Sequence, residues 1–188
     1  MAYRSGAWLE EPHGRSQKLQ GEKRMSQDFN WLSPLGISVA LFLLYGAVYV
    51  LIGAFTPVMA DSDIGRRTLV ISNRTDRIVF GDSPENLLRN DPALTKLRTT
   101  IFNMLAGMLV AAGILVIAVA WFGLRQKQAW ALGALALAGI AVLPFWWLVF
   151  RPYFQAGAPV GFFDIPPFMW VPGVLLIPAV VLGWIGLQ

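Results

Sequence analysis

Four stretches of this chain contain no Asp, Glu, Lys, Arg or His: residues 34 to 60, 101 to 124, 129 to 150 and 167 to 187. A helix rises 1.5 Å per residue, so about 20 residues cross a hydrocarbon core of roughly 30 Å, and each stretch meets that length. Hydrocarbon offers no partner to a backbone N–H or C=O, so a spanning segment of this kind must be helical. The sequence therefore predicts an all-α integral membrane protein, a four-transmembrane-helix bundle. The 15 basic and 11 acidic residues all fall outside the four stretches, which excludes amphipathic surface helices as the main architecture. With 56% hydrophobic and only 14% charged residues, the chain is also too apolar for a soluble domain of 188 residues.

Residues 1–30 mix cations such as Arg4, Arg15 and Lys18 with Glu10, Glu11 and Glu22 and show no apolar period. They read as a mobile polar tail, without the arrangement of a secretory signal, ahead of a membrane domain over 31–188. Met25 offers an alternative start. The loop from 61 to 100 is the one sizeable polar region inside the fold, and it reads as partly ordered. The β-prone runs at 68–71 and 77–80 flank five polar residues, which predicts a small β-hairpin. Ser83, Pro84 and Glu85 then open a short helix, and Asp91-Pro92 repeats the signal and leads without a break into span 2.

Spans 2 and 3 are joined by only Arg125, Gln126, Lys127 and Gln128, so they form an antiparallel hairpin. Total charge does not orient the chain, because seven cations on one side face eight on the other. The acid-free turn at 125–128 decides for the cytoplasmic side, which places both termini in the cytoplasm, in a plasma membrane. Small residues at helical spacing mark packing faces. Gly107, Ala111, Ile114 and Ala118 of span 2 are expected against Ala131, Ala134, Ala138 and Ala141 of span 3, and Gly46, Val50 and Gly53 form a similar row in span 1.

The chain has no cysteine, which removes disulfides, thiolate metal sites and dithiol redox chemistry. Its one histidine, His13, lies in the tail, so no span supplies an imidazole to haem, zinc or di-iron. No ionisable group lies at membrane depth, which disfavours proton-coupled transport. Pro172 and Pro178 divide span 4 in the manner of the broken helices of some transporters, although no matching second span accompanies them. Tyr45, Tyr49 and Asn103 are the main polar groups at depth and are candidates for hydrogen bonds between helices. Aromatic side chains crowd the last hairpin, where Trp146, Trp147, Arg151, Tyr153, Asp164 and Trp170 are candidates for contact with a lipid or apolar ligand. Arg151 and Asp164 flank the same loop and are expected to close it as an ion pair. The Asn73-Arg74-Thr75 triplet matches a glycosylation acceptor, a pattern that arises often by chance.

These features point to a non-enzymatic accessory or assembly subunit. Its partners would be membrane lipids, another membrane protein subunit or a second copy of itself. No cofactor and no nucleic acid are implied, since acidic residues accompany the basic ones in both polar regions. The alternative is a carrier or binder of an apolar small molecule or lipid in the aromatic region of spans 3 and 4, which requires a cavity there. A lipid-modifying enzyme centred on Arg151 and Asp164 comes third and requires those side chains to converge in a cleft.

Overall fold

The computed structural model describes residues 29–188, apart from the side chains at 167 and 168. The expected polar tail thus lies outside the described residues save for its last two positions. From Trp31 onward, four helices are long and apolar enough to cross a membrane: Pro34–Asp61, Pro92–Gln126, Ala129–Gln155 and Met169–Leu187. This is the arrangement of an integral membrane protein.

Helix α1 covers Pro34–Asp61. Ser33 caps it by accepting the Gly36 N–H at 3.0 Å, Pro34 occupies the first turn, and the helix passes through Pro57 before ending. The loop that follows is helical as well. A short 3-10 turn at Gly65–Arg67 leads to α2 (Asn73–Phe80) and α3 (Pro84–Asn90). No strand occurs among the described residues, so the β-hairpin expected at 68–71 and 77–80 is not formed. The β-branched pair Ile78-Val79 suggested a strand, but Ser72 accepts from the Thr75 N–H and starts a helix. Gly81, at φ 81°, then closes that helix in the left-handed conformation that glycine adopts without a Cβ penalty. Local capping at both ends overrides a weak strand propensity.

Helix α4 (Pro92–Ala118) starts on Asp91, whose Oδ1 accepts from the Ala93 and Leu94 N–H groups at 2.9 and 3.0 Å. It continues through a π-helical turn at Val119–Gly123 and a 3-10 turn at Leu124–Gln126. Lys127, at φ 60°, reverses the chain. The third span is split into α5 (Ala129–Ala141) and α6 (Leu143–Gln155). Pro144 has no N–H to give and its ring excludes the preceding turn's carbonyl, so the hydrogen-bond ladder stops at Val142. In contrast, α7 (Pro167–Leu187) passes through Pro172 and Pro178 as one helix. Pro172 is fully buried, and its surroundings hold the helix across it. The proline that interrupts a span is therefore Pro144, and the expected division of span 4 does not occur.

Helix α1 packs between α4 and α7. A Cβ added to Gly46 would come within 2.7 Å of the Gly113 carbonyl oxygen, and one on Gly53 within 2.7 Å of that of Ala106. Backbone meets backbone here, and glycine is what permits it. Ser38, fully buried in α1, donates to the Ala179 carbonyl of α7 at 2.6 Å. Helix α5 lies on α7, with Gly139 against Leu176 and Leu132 against Gly183. The pairing expected between spans 2 and 3 is absent, since Gly107, Ala111 and Ile114 point outward and so do Ala134, Ala138 and Ala141. The opposite face of α4, with Ala106, Leu109 and Gly113, is the buried one. Helices α4 and α5 meet chiefly at the turn end, through Val119–Gly123.

Candidate functional site

At the end of the bundle away from that turn, the 61–100 segment forms a cap held by two buried charged side chains. Arg98, only 7% exposed, projects from the first part of α4. Its Nη1 donates to the Ala60 carbonyl at 3.0 Å, its Nη2 to Gly65 at 2.6 Å and its Nε to Thr68 at 3.1 Å. One guanidinium thus ties the last turn of α1 to the chain leaving it. A cation near a helix C-terminus is favoured there by the unsatisfied carbonyls and by the helix dipole. The Phe102 ring lies beneath it, 4.5 Å from Cζ to the ring centroid. Next to it, Thr99 donates to Asp61 at 3.2 Å.

Asp76 is fully buried in the first part of α2. Its Oδ2 accepts from the Leu69 and Val70 N–H groups at 2.6 and 2.9 Å, and its Oδ1 from the Ile71 N–H at 3.2 Å. Tyr153, near the end of α6, donates its hydroxyl to the same Oδ1 at 2.7 Å. The extended chain at 69–71 therefore wraps a carboxylate as a nest of amides, an arrangement suited to a negative charge. Around this lock, Ile71, Tyr153 and Ala158 pack together, with Val79, Phe150 and Val160 against them. A second tie runs alongside, where Ser72 donates to Asp164 Oδ1 at 2.9 Å and Asp164 Oδ2 accepts from the Gly161 N–H at 2.9 Å.

Because α6 leans on the cap at its far end while α5 stays on α7, the second and third spans part above the turn. An apolar cavity of about 600 Å³ lies in the gap. Helix α4 supplies Leu97, Ile101, Phe102 and Leu105 to its wall, α6 supplies Phe145, Trp146 and Val149, and Phe80 and Leu87 come from the cap. Among the described residues, Arg98 is the one charged side chain in the wall. The volume falls within the roughly 300–1,000 Å³ of small-molecule sites.

Of the residues proposed for ligand contact, Trp146 lines this cavity, in ring contact with Phe150 at 6.4 Å. Trp147 is exposed on the other side of α6 and packs on Phe154, with ring centroids 5.9 Å apart. Trp170 stacks on Phe162 at 4.9 Å. Tyr153 is a latch to Asp76 and does not line the cavity. Arg151 and Asp164 do not form the expected ion pair, because Arg151 is exposed while both Asp164 oxygens are engaged by Ser72 and Gly161. The convergence that a lipid-modifying reaction would need at these two groups is not present. Tyr45 and Tyr49 meet at 3.5 Å between hydroxyls, but they lie on one helix, and Asn103 is exposed. A polar bond between α1 and α7 comes instead from Ser38, beside those that Arg98 and Thr99 of α4 make to the end of α1.

Sequence reading missed Asp76, Arg98, Ser38 and Pro144. Arg98 and Asp76 are ordinary loop charges by sequence, and only the fold shows that each collects three or four partners. Pro144 was legible as a helix-breaking residue inside a span. Four acceptor bonds occupy Asp76, so it has no capacity left to act as a base or a ligand. Among the described residues, no group of three His, Asp or Glu side chains gathers to hold a metal ion. No family model matches the chain, and no curated protein or solved structure is significantly similar to it.

Proposed function

We propose that this is a non-enzymatic membrane protein that binds lipid, an accessory factor whose working surface lies within the bilayer. The observation that carries this reading is the cavity between α4 and α6, apolar on nearly every side and placed along membrane-spanning helices. The two buried charged residues of the cap support it by their engagement. Arg98 and Asp76 serve the backbone around them, so these two groups organise the cap on the bundle and are not placed to react. We further propose a plasma-membrane location with the 125–128 turn and both termini in the cytoplasm, on the strength of the acid-free Arg125 and Lys127 turn.

One observation favours a protein partner as a second reading. The small-residue row Gly107, Ala111 and Ile114 faces outward, and nothing lies within 4 Å of a Cβ added at Gly107. A helix of another subunit fits such a face. Native mass spectrometry after gentle extraction from the source membrane tests both readings. Retained lipid on an otherwise free chain is the expected result. A stoichiometric protein without lipid would move the second reading to first place, and a bare chain that keeps neither would overturn the proposal.

A further inference from the structure

We infer that the cavity between α4 and α6 holds one hydrocarbon chain of a bilayer phospholipid, which enters sideways and leaves its head group outside. The inference deepens the lipid-binding reading and rests on it. Its first ground is position. The wall includes Phe102, Leu105 and Val149, residues of two of the helices long and apolar enough to cross a membrane, together with apolar residues of the cap. The rim includes Leu97, Ile101 and Phe145, each at least half exposed. Met104 and Leu148, next in sequence to the wall residues Leu105 and Val149, are exposed apolar residues on the same two helices. The cavity is therefore continuous with the surface that meets lipid, and lipid is the solvent at its opening.

The second ground is the chemistry of the wall. Water needs two or more polar partners to settle in a cavity, and this one offers almost none. An empty space of about 600 Å³ would leave its lining without contacts on one side. A chain of methylenes supplies those contacts and asks for no hydrogen bond. The third ground is Arg98. Three of its five N–H groups donate to backbone carbonyls and its guanidinium lies over Phe102, so the protein itself fixes its position. Recognition on these terms is by chain and indifferent to head-group charge.

The full-length chain reconstituted into vesicles tests this directly. The vesicles carry a trace of phosphatidylcholine or phosphatidylglycerol with a photoactivatable diazirine in one acyl chain, and labelled residues are mapped by mass spectrometry. The expected result is saturable labelling of Leu105, Trp146 or Val149, competed by unlabelled lipid and equal within about twofold for the two head groups. Filling the space with Val149→Phe should lower that labelling several-fold, with the outward Leu148→Phe as a control that leaves it unchanged. If Val149→Phe fails to fold, the competition arm in the unmodified protein still decides. Labelling confined to outward residues such as Met104 and Leu148 would overturn the inference. So would a tenfold preference for one head group, which would mean recognition by charge. If lipid is retained in native mass spectrometry but the cavity stays unlabelled, this inference fails and the lipid-binding reading stands; if neither is seen, both fail.

Discussion

Replacing Asp76 by Asn keeps size and shape and removes the charge on which the cap closes. The carboxylate accepts four bonds, two on each oxygen. An amide has one oxygen. If that oxygen stays with Leu69 and Val70, the NH2 group faces the Tyr153 hydroxyl, which can turn and accept, and the Ile71 N–H, which cannot. The Ile71 N–H and the second amide N–H are left facing each other without an acceptor, at about 1–3 kcal/mol even if only one of them stays unpaired, and the surviving bonds lose charge assistance worth roughly 0.5 kcal/mol each. The sum is about 3 kcal/mol, or roughly a hundredfold in the equilibrium for local opening of the cap. Hydrogen exchange read by mass spectrometry in detergent micelles should show the amides of 69–71 exchanging about a hundredfold faster. Amides of α1 and α4 around Gly46 and Gly113 should keep their protection, because the backbone contact there does not involve the cap. Tyr153→Phe removes one bond of the four, a bond to a charged acceptor, and should cost about 1.5–3 kcal/mol, roughly a ten- to hundredfold change in the same exchange. Unchanged exchange at 69–71 in Asp76→Asn would refute the idea that this carboxylate organises the cap.

Gly113→Ala puts a methyl group 2.6 Å from the Gly46 carbonyl oxygen and should lower stability by about 1–3 kcal/mol in a detergent unfolding assay. Gly107→Ala, into open space on the same helix, should leave it unchanged within about 0.5 kcal/mol. Arg98→Met leaves the Ala60, Gly65 and Thr68 carbonyls without their shared donor, and limited proteolysis should then cut the 61–72 segment at least tenfold faster; Arg98→Lys should not restore it, since a single ammonium does not reproduce the fork. Ser38→Ala removes a buried side-chain bond between α1 and α7 and should cost about 0.6 kcal/mol in the same unfolding assay. A reporter active only outside the cytoplasm, fused within the 125–128 turn, should stay silent, and strong activity would invert the proposed orientation.

The spans were legible because hydrocarbon imposes one simple demand, an unbroken run of apolar residues about 20 long. The cap was less so. Its helices are seven and eight residues long, and at that length capping by Ser72 and Gly81 and the tertiary bonds of Asp76 decide the conformation, while propensity favours neither state strongly. Packing faces were misassigned for a related reason. Small residues recur on both sides of α4, and sequence order suggested the hairpin neighbour, whereas the closest fit is the glycine row of α1. For the candidate site, aromatic crowding in the last hairpin drew attention to the right helix, with Trp146 in the cavity wall. The cavity itself arises from the Pro144 break and from the Tyr153 latch 77 residues away from Asp76 in sequence, and no local pattern encodes a contact of that kind.

If the space between α4 and α6 belongs to the bilayer, reagents that dissolve in lipid reach it and reagents confined to water do not. Because the chain has no cysteine, a single one introduced for Leu105 can carry a nitroxide without competing labels. Its collision rates with oxygen, which partitions into lipid, and with a nickel chelate, which stays in water, can be measured by electron paramagnetic resonance in reconstituted vesicles. Ready collision with oxygen and exclusion of the chelate is the predicted result, comparable to a label at the outward Leu148. Accessibility to the nickel chelate at Leu105 would contradict the claim, since the cavity would then be aqueous, and protection from both reagents would mean that the helices close the gap in a membrane.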